Sequence, residues 1–143
     1  DDGSRQYKDL LCFHFDDAGN LKAQYSYDKQ EGNKTSELAP AYQELLANSD
    51  GNHIDWLIGE VDGWRENKEL GNSKFKVLMY PVVAKLDVAS GKIGDPAVFG
   101  VSKEGKYYLN NQFPFLPIEL GSAVVFFGES KGGKTLWFGK MDL

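Results

Sequence analysis

Apolar and polar positions alternate from Leu10 to Phe15, with Leu11, Phe13 and Phe15 on one side and Cys12 and His14 on the other. After Asp16-Asp17-Ala18-Gly19-Asn20 the alternation resumes, with Leu21, Ala23, Tyr25 and Tyr27 set against Lys22, Gln24 and Ser26. Successive strand residues point to opposite faces, so two period-2 runs around an Asp/Gly/Asn turn predict a β-hairpin. The polar stretch from Lys29 to Ser36 reads as a loop. Glu37 to Leu46 admits a short helix with Pro40 in its first turn, or the first arm of a second hairpin. The hairpin is favoured, because Asn48-Ser49-Asp50-Gly51 marks a turn and Ile54 to Val61 is a strong strand pattern.

A third hairpin runs from Val82 to Asp87, through a Ser90-Gly91 turn, into Lys92 to Phe99. A fourth joins Ala123–Phe127 to Leu136–Met141 across Ser130-Lys131-Gly132-Gly133. Between them, Tyr107 to Pro117 carries too much proline for a central strand and too many aromatics for a solvated loop. The predicted class is all-β, with helix confined to one or two short pieces near Leu38–Leu46.

The hairpins resemble one another. A shift of 81 residues superposes Ser49 on Ser130, Gly51 on Gly132 and Trp56 on Trp137, and a shift of 71 superposes Asp16 on Asp87. One domain of 143 residues, built of two four-stranded units at about 7–62 and 79–143, is the expectation. Phe113-Pro114-Phe115, Gly121, Val124 to Phe127, Gly132-Gly133, Leu136-Trp137-Phe138 and the final Asp142-Leu143 resemble the strand–turn–strand repeat of TolB/PD40-type β-propellers. Asn48 to Trp56 is similar, so the resemblance spans about half the chain, without the usual Ser-Pro-Asp-Gly turn. It implies blade-like sheets and an extracytoplasmic setting. Propellers have four to eight blades, so two units imply a larger propeller, self-assembly, or a sandwich or small barrel.

Composition narrows the function classes. Hydrophobic residues at 41% and charged residues at 26% match an ordinary globular chain rather than a disordered one. No apolar run approaches the roughly 18 residues of a membrane-crossing helix, and the chain reads as water-soluble. A formal net charge of −5 with dispersed lysines argues against nucleic acid, and the lone Cys12 excludes an internal disulfide.

Several motifs lose to plainer readings. Gly128 to Thr135 fits the P-loop formula, but phosphate binding needs a helix to begin immediately afterwards, and Leu136 to Leu143 reads as a strand. Asp16 to Asn20 lacks the alternating oxygens and closing glutamate of a calcium loop. Cys12 and His14, with His53 as the only other imidazole, fall short of a zinc set. No catalytic residue, metal or cofactor is predicted.

Trp64, Tyr107, Tyr108, Phe113 and Phe115 are the candidate ligand-binding residues, since aromatic faces beside Asn and Gln amides suit a sugar ring or an extended peptide. The competing reading has them wrap a hydrophobic edge. The leading expectation is a non-catalytic binding or protein-interaction module, joined to a protein partner or to itself. A carbohydrate-binding module and a β-barrel carrier of an apolar ligand are the alternatives.

Overall fold

The computed structural model describes residues 8–29, 41–67, 74–99, 101–102, 105–119 and 122–143. The polar loop and the start of the ambiguous segment, residues 30–40, lie outside them. So does Gly121 of the propeller resemblance. No helix occurs among the described residues, and the all-β expectation holds.

Strands β1 (Leu10–Phe15) and β2 (Leu21–Tyr27) form the first hairpin. The Glu37–Leu46 ambiguity resolves as strand: β3 (Tyr42–Ala47) pairs antiparallel with β4 (His53–Asn67). In turn β4 pairs along its length with β5 (Lys74–Asp87), with one bulge between Val61 and Gly63. Both strands run further than the sequence pattern suggests, because β5 continues straight through Pro81. That residue lacks an N–H but its carbonyl accepts the N–H of Phe99.

The return arm of the third hairpin is broken into β6 (Lys92–Ile93) and β7 (Ala97–Val98), both on the outer edge of β5. A minor pair follows, β8 (Val101–Ser102) with β9 (Gly105–Lys106). The last sheet is organised by β12 (Ala123–Glu129). On one edge it carries β10 (Tyr108–Leu109) and β11 (Leu116–Glu119), and on the other β13 (Leu136–Asp142). Pro117 thus lies in an edge strand, where a missing N–H is tolerated.

These sheets stack in three layers. One face of the β3–β7 sheet packs on the β1–β2 hairpin through Tyr25, Trp56, Ile58, Tyr80, Val82 and Leu86. The other face packs on the last sheet through Leu57, Val61, Met79, Phe115, Val124 and Phe126. The middle sheet is therefore covered on both sides, which is why residues 56–61 are buried without alternation. No sheet closes into a barrel among the described residues.

Strand pairing groups the hairpins differently from the units read in the sequence. β1–β2 and β3–β4 lie in separate layers, and residues 63–67 and 74–78, between the two units, pair with each other as part of β4 and β5. The 81-residue alignment also needs correction by one. Asn48 N–H donates to His53 O and Gly51 N–H to Asn48 O, while Ser130 N–H donates to Thr135 O and Gly133 N–H to Ser130 O. The equivalent turns match Asn48 with Ser130, Gly51 (φ 70) with Gly133 (φ 68) and His53 with Thr135. Trp137 then matches Asp55 and not Trp56. A one-residue slip reverses the faces of a strand, so the two tryptophans enter different cores.

Candidate interaction surfaces

The five aromatic residues singled out in the sequence do not form one platform. Phe115 belongs to the core between the middle and last sheets, against Tyr42. Tyr108 is buried, and its hydroxyl donates to Asp62 Oδ2 at 2.5 Å. Tyr107 packs on Trp137 with ring centres 5.3 Å apart. Only Trp64 (43% exposed) and Phe113 (57%) present large aromatic surface to water, on β4 and on the β10–β11 connection.

The β4 bulge inserts Asp62 as an extra residue and sets it beside a buried tyrosine–carboxylate network that sequence reasoning missed. Glu60 is fully buried and takes the Tyr27 hydroxyl as a hydrogen-bond partner. Burial first, and Glu60 next, push the Tyr27 and Tyr80 hydroxyls far above the ordinary tyrosine range. At Tyr108 burial acts together with the Asp62 hydrogen bond. All three phenols are held neutral, Tyr27 donating to Glu60 and Tyr108 to Asp62, with Tyr80 close to the charge of both acids. The only advance signal was two acids, Glu60 and Asp62, at the end of an apolar run.

At the opposite end of the middle sheet, His53 Nδ1 lies 3.0 Å from Asp50 Oδ2, and its Nε2 lies 3.6 Å from the fully buried Asp55. Lys85 Nζ approaches Asp55 Oδ1 at 3.9 Å. A shallow cleft of about 380 Å³ opens here beside His53, Lys85, Asp87 and Lys92. No cluster of ligating side chains able to hold a metal occurs among the described residues.

The remaining motifs resolve as local structure. Residues 128–129 end β12, and residues 130–135 connect it to β13. Arg65 lies over it, donating to Lys131 O at 3.1 Å and to Glu129 Oε1 at 3.1 Å, and Lys76 also pairs with Glu129. Asp16 Oδ1 accepts the Ala18 and Asn20 N–H groups, an Asx turn that holds its carboxyl below the usual range. Cys12 is half-buried under the hairpin, which pushes its thiol up.

What stands out is the outside of the stack. On the outward face of the first hairpin, Leu11, Phe13, Phe15 and Leu21 are each about half exposed, with Leu21 opposite Phe15. On the outward face of the last sheet, Leu116 lies opposite Val125, Ile118 is about half exposed, and Phe127 stacks on Phe138 with ring centres 5.9 Å apart. Leu136 is 73% and Phe138 75% exposed. Each face leaves roughly 400 Å² of apolar surface in water, the size of the largest apolar patch on a typical globular chain, which is often functional. The strand alternation builds both faces: every second side chain of β1 and of β13 points outward.

Fold and surfaces together define the class: an all-β protein of face-stacked antiparallel sheets with apolar side chains on both outer faces. Comparison with family models, with curated proteins and with solved structures returns no match.

Proposed function

We propose that this chain is a non-catalytic protein-interaction module whose two outer sheet faces receive further β-sheet layers, in the manner of blades in a propeller-like assembly. The observation that carries this reading is the outward apolar row on each terminal layer, Leu11-Phe13-Phe15 and Leu136-Phe138 with Phe127. Water-facing sheet surfaces normally carry polar side chains at alternate positions, whereas the outward rows of β1 and of the start of β13 carry leucine and phenylalanine. Covering about 400 Å² of apolar surface is worth on the order of 10 kcal/mol before the costs of association. The middle sheet supports the blade analogy: β3, β4, β5 and the β6–β7 edge form a four-column meander with a layer on each face.

An environment-sensitive apolar dye tests the reading on dilute, folded protein. The dye binds the native chain, and Phe13→Lys and Phe138→Lys each remove part of the signal without lowering the melting temperature. Absence of dye binding to the native chain contradicts the assignment.

A further inference from the structure

We propose that the His53 end of the middle sheet is a proton-operated switch, in which His53 and Lys85 exchange places as the cation serving the buried Asp55. It is separate from the two outer faces and does not depend on what they bind.

Asp55 sets up the competition. It is fully buried, and its alternation with Leu57 along β4 places it on the side of the last sheet. Its Oδ2 accepts the Asn48 side-chain N–H at 3.3 Å, whereas its buried Oδ1 receives no hydrogen bond among the described residues. A carboxylate out of water is costly unless a cation serves it. Two candidates stand just beyond hydrogen-bond reach: His53 Nε2 at 3.6 Å from Oδ2, and Lys85 Nζ, across the strand pair, at 3.9 Å from Oδ1. They also meet each other, with Nζ 3.4 Å from Nε2.

That contact couples the two. An ammonium only donates, so beside Lys85 the Nε2 atom accepts and carries no proton. Nδ1 lies 3.0 Å from Asp50 Oδ2, which only accepts, and so holds the ring hydrogen. In this state the imidazole is neutral and Lys85 is the cation beside Asp55. A second proton on the ring has to sit at Nε2, facing both the ammonium and the carboxylate. The imidazolium then bonds Asp55 Oδ2 and repels Lys85. Lys85 has somewhere to go, since its side chain is 58% exposed and lines the adjoining cleft with Lys92. The other charges facing His53 are Asp50 in the turn and Asp87, its cross-strand partner on β5, which accepts the Ser90 N–H at 2.7 Å. The last sheet meets this turn through an uncharged contact, Ser122 Oγ to Ser49 Oγ at 3.5 Å. Taking up one proton therefore moves a positive charge from the buried carboxylate to the cleft.

Nitrogen-15 NMR of the full chain, from about pH 8 to 5 where imidazoles change charge, reads both partners. At the alkaline end His53 should show the Nδ1–H tautomer. The two Hε protons of Lys85 should be distinct there, because its end is held. As His53 gains its second proton, the Lys85 Nζ shift should move in step and the two Hε signals should merge. Lys85→Met should raise the ratio of charged to neutral His53 at one fixed intermediate pH by about threefold or more, since a like charge has gone. His53→Gln should abolish the Lys85 response. An Nε2–H tautomer at the alkaline end overturns the switch, as do Lys85 signals that ignore the His53 titration. An unchanged ratio in Lys85→Met does the same. A Lys85 response that survives His53→Gln gives the proton to another group, Asp55 included, and also overturns it.

Discussion

The strand around Trp56 and the strand around Trp137 have similar sequences and opposite situations. Trp56 lies in β4, in the middle of a sheet covered on both faces. It is 0% exposed, packs edge-on against Tyr27, and donates its Nε1–H to Gln43 Oε1 at 3.2 Å. Trp137 lies in β13, at the edge of the last sheet, half-buried between Tyr107 and Phe126. Its buried Nε1–H finds no acceptor among the described residues. The difference teaches that a hairpin's sequence fixes its turn and its alternation, while the number of layers around it fixes what the alternation is worth. Leu57, beside Trp56, is buried in the second core, whereas Phe138, beside Trp137, points into water.

The largest effect that would break the comparison is at the tryptophans. Trp56→Ala should lose about 3–5 kcal/mol, a large share of the roughly 5–15 kcal/mol that holds a domain folded. Trp137→Ala should cost about half of that, and Trp64→Ala under about 1 kcal/mol, since Trp64 is 43% exposed. Urea midpoints of the three variants give the order. A Trp137→Ala loss equal to that of Trp56→Ala would mean that the outer layer is as fully covered as the middle one.

A second contrast sits where the two hairpins ought to be interchangeable. Position 46 holds leucine, while the matching position 128 must be glycine, because a Cβ there would lie 1.7 Å from the Tyr108 carbonyl oxygen. Gly128→Ala should therefore part β10 from β12 and cost about 1–3 kcal/mol, the range for overpacking. Loss of amide-exchange protection at Leu109 and Asn110, with β12–β13 still protected, is the expected signature.

The turns themselves were readable from the residues: Gly19, Gly51, Gly91 and Gly133 all take positive φ where Asp/Asn/Gly clusters break the alternation. So was the all-β class, because alternation and turn chemistry are local. The layer order was not. Nothing local in Leu11-Cys12-Phe13-His14-Phe15 says that Cys12 and His14 face the middle sheet while the phenylalanines face out. Nor does the 81-residue alignment reveal that one residue of register separates the tryptophans, since matching identical side chains outweighed matching turn geometry. Likewise Tyr108 and Phe115 fell inside and Trp64 and Phe113 outside, a division made by β10 and β11 docking on β12.

The tyrosine network sharpens the account through pH. The folded values of Tyr27, Tyr80 and Tyr108 lie above the unfolded value near 10. Their contribution is therefore fully present below about pH 10 and is lost as pH rises beyond it, because the unfolded chain releases its phenolic protons first. Urea midpoints should fall above pH 10, and absorbance at the phenolate band should show these residues ionising together with unfolding. Tyr27→Phe should flatten that fall.

A smaller test compares the two matched turns. Gly51→Ala and Gly133→Ala meet the same left-handed backbone, φ 70 and 68, which costs roughly 1 kcal/mol with any Cβ. At Gly51 the space is open, whereas at Gly133 the new carbon would lie 2.4 Å from Arg65 Nη1. The Gly133 variant should be the less stable by a few tenths of a kcal/mol, the cost of displacing a flexible guanidinium from its surface contacts.

The most direct test of the central claim is hydroxyl-radical footprinting of the native chain in dilute solution, read residue by residue. Phe13, Leu136 and Phe138 should oxidise readily, while Phe115 and Trp56 stay protected. Protection of the outer residues at the level of Phe115 would contradict the account of the two terminal layers as carrying open apolar faces.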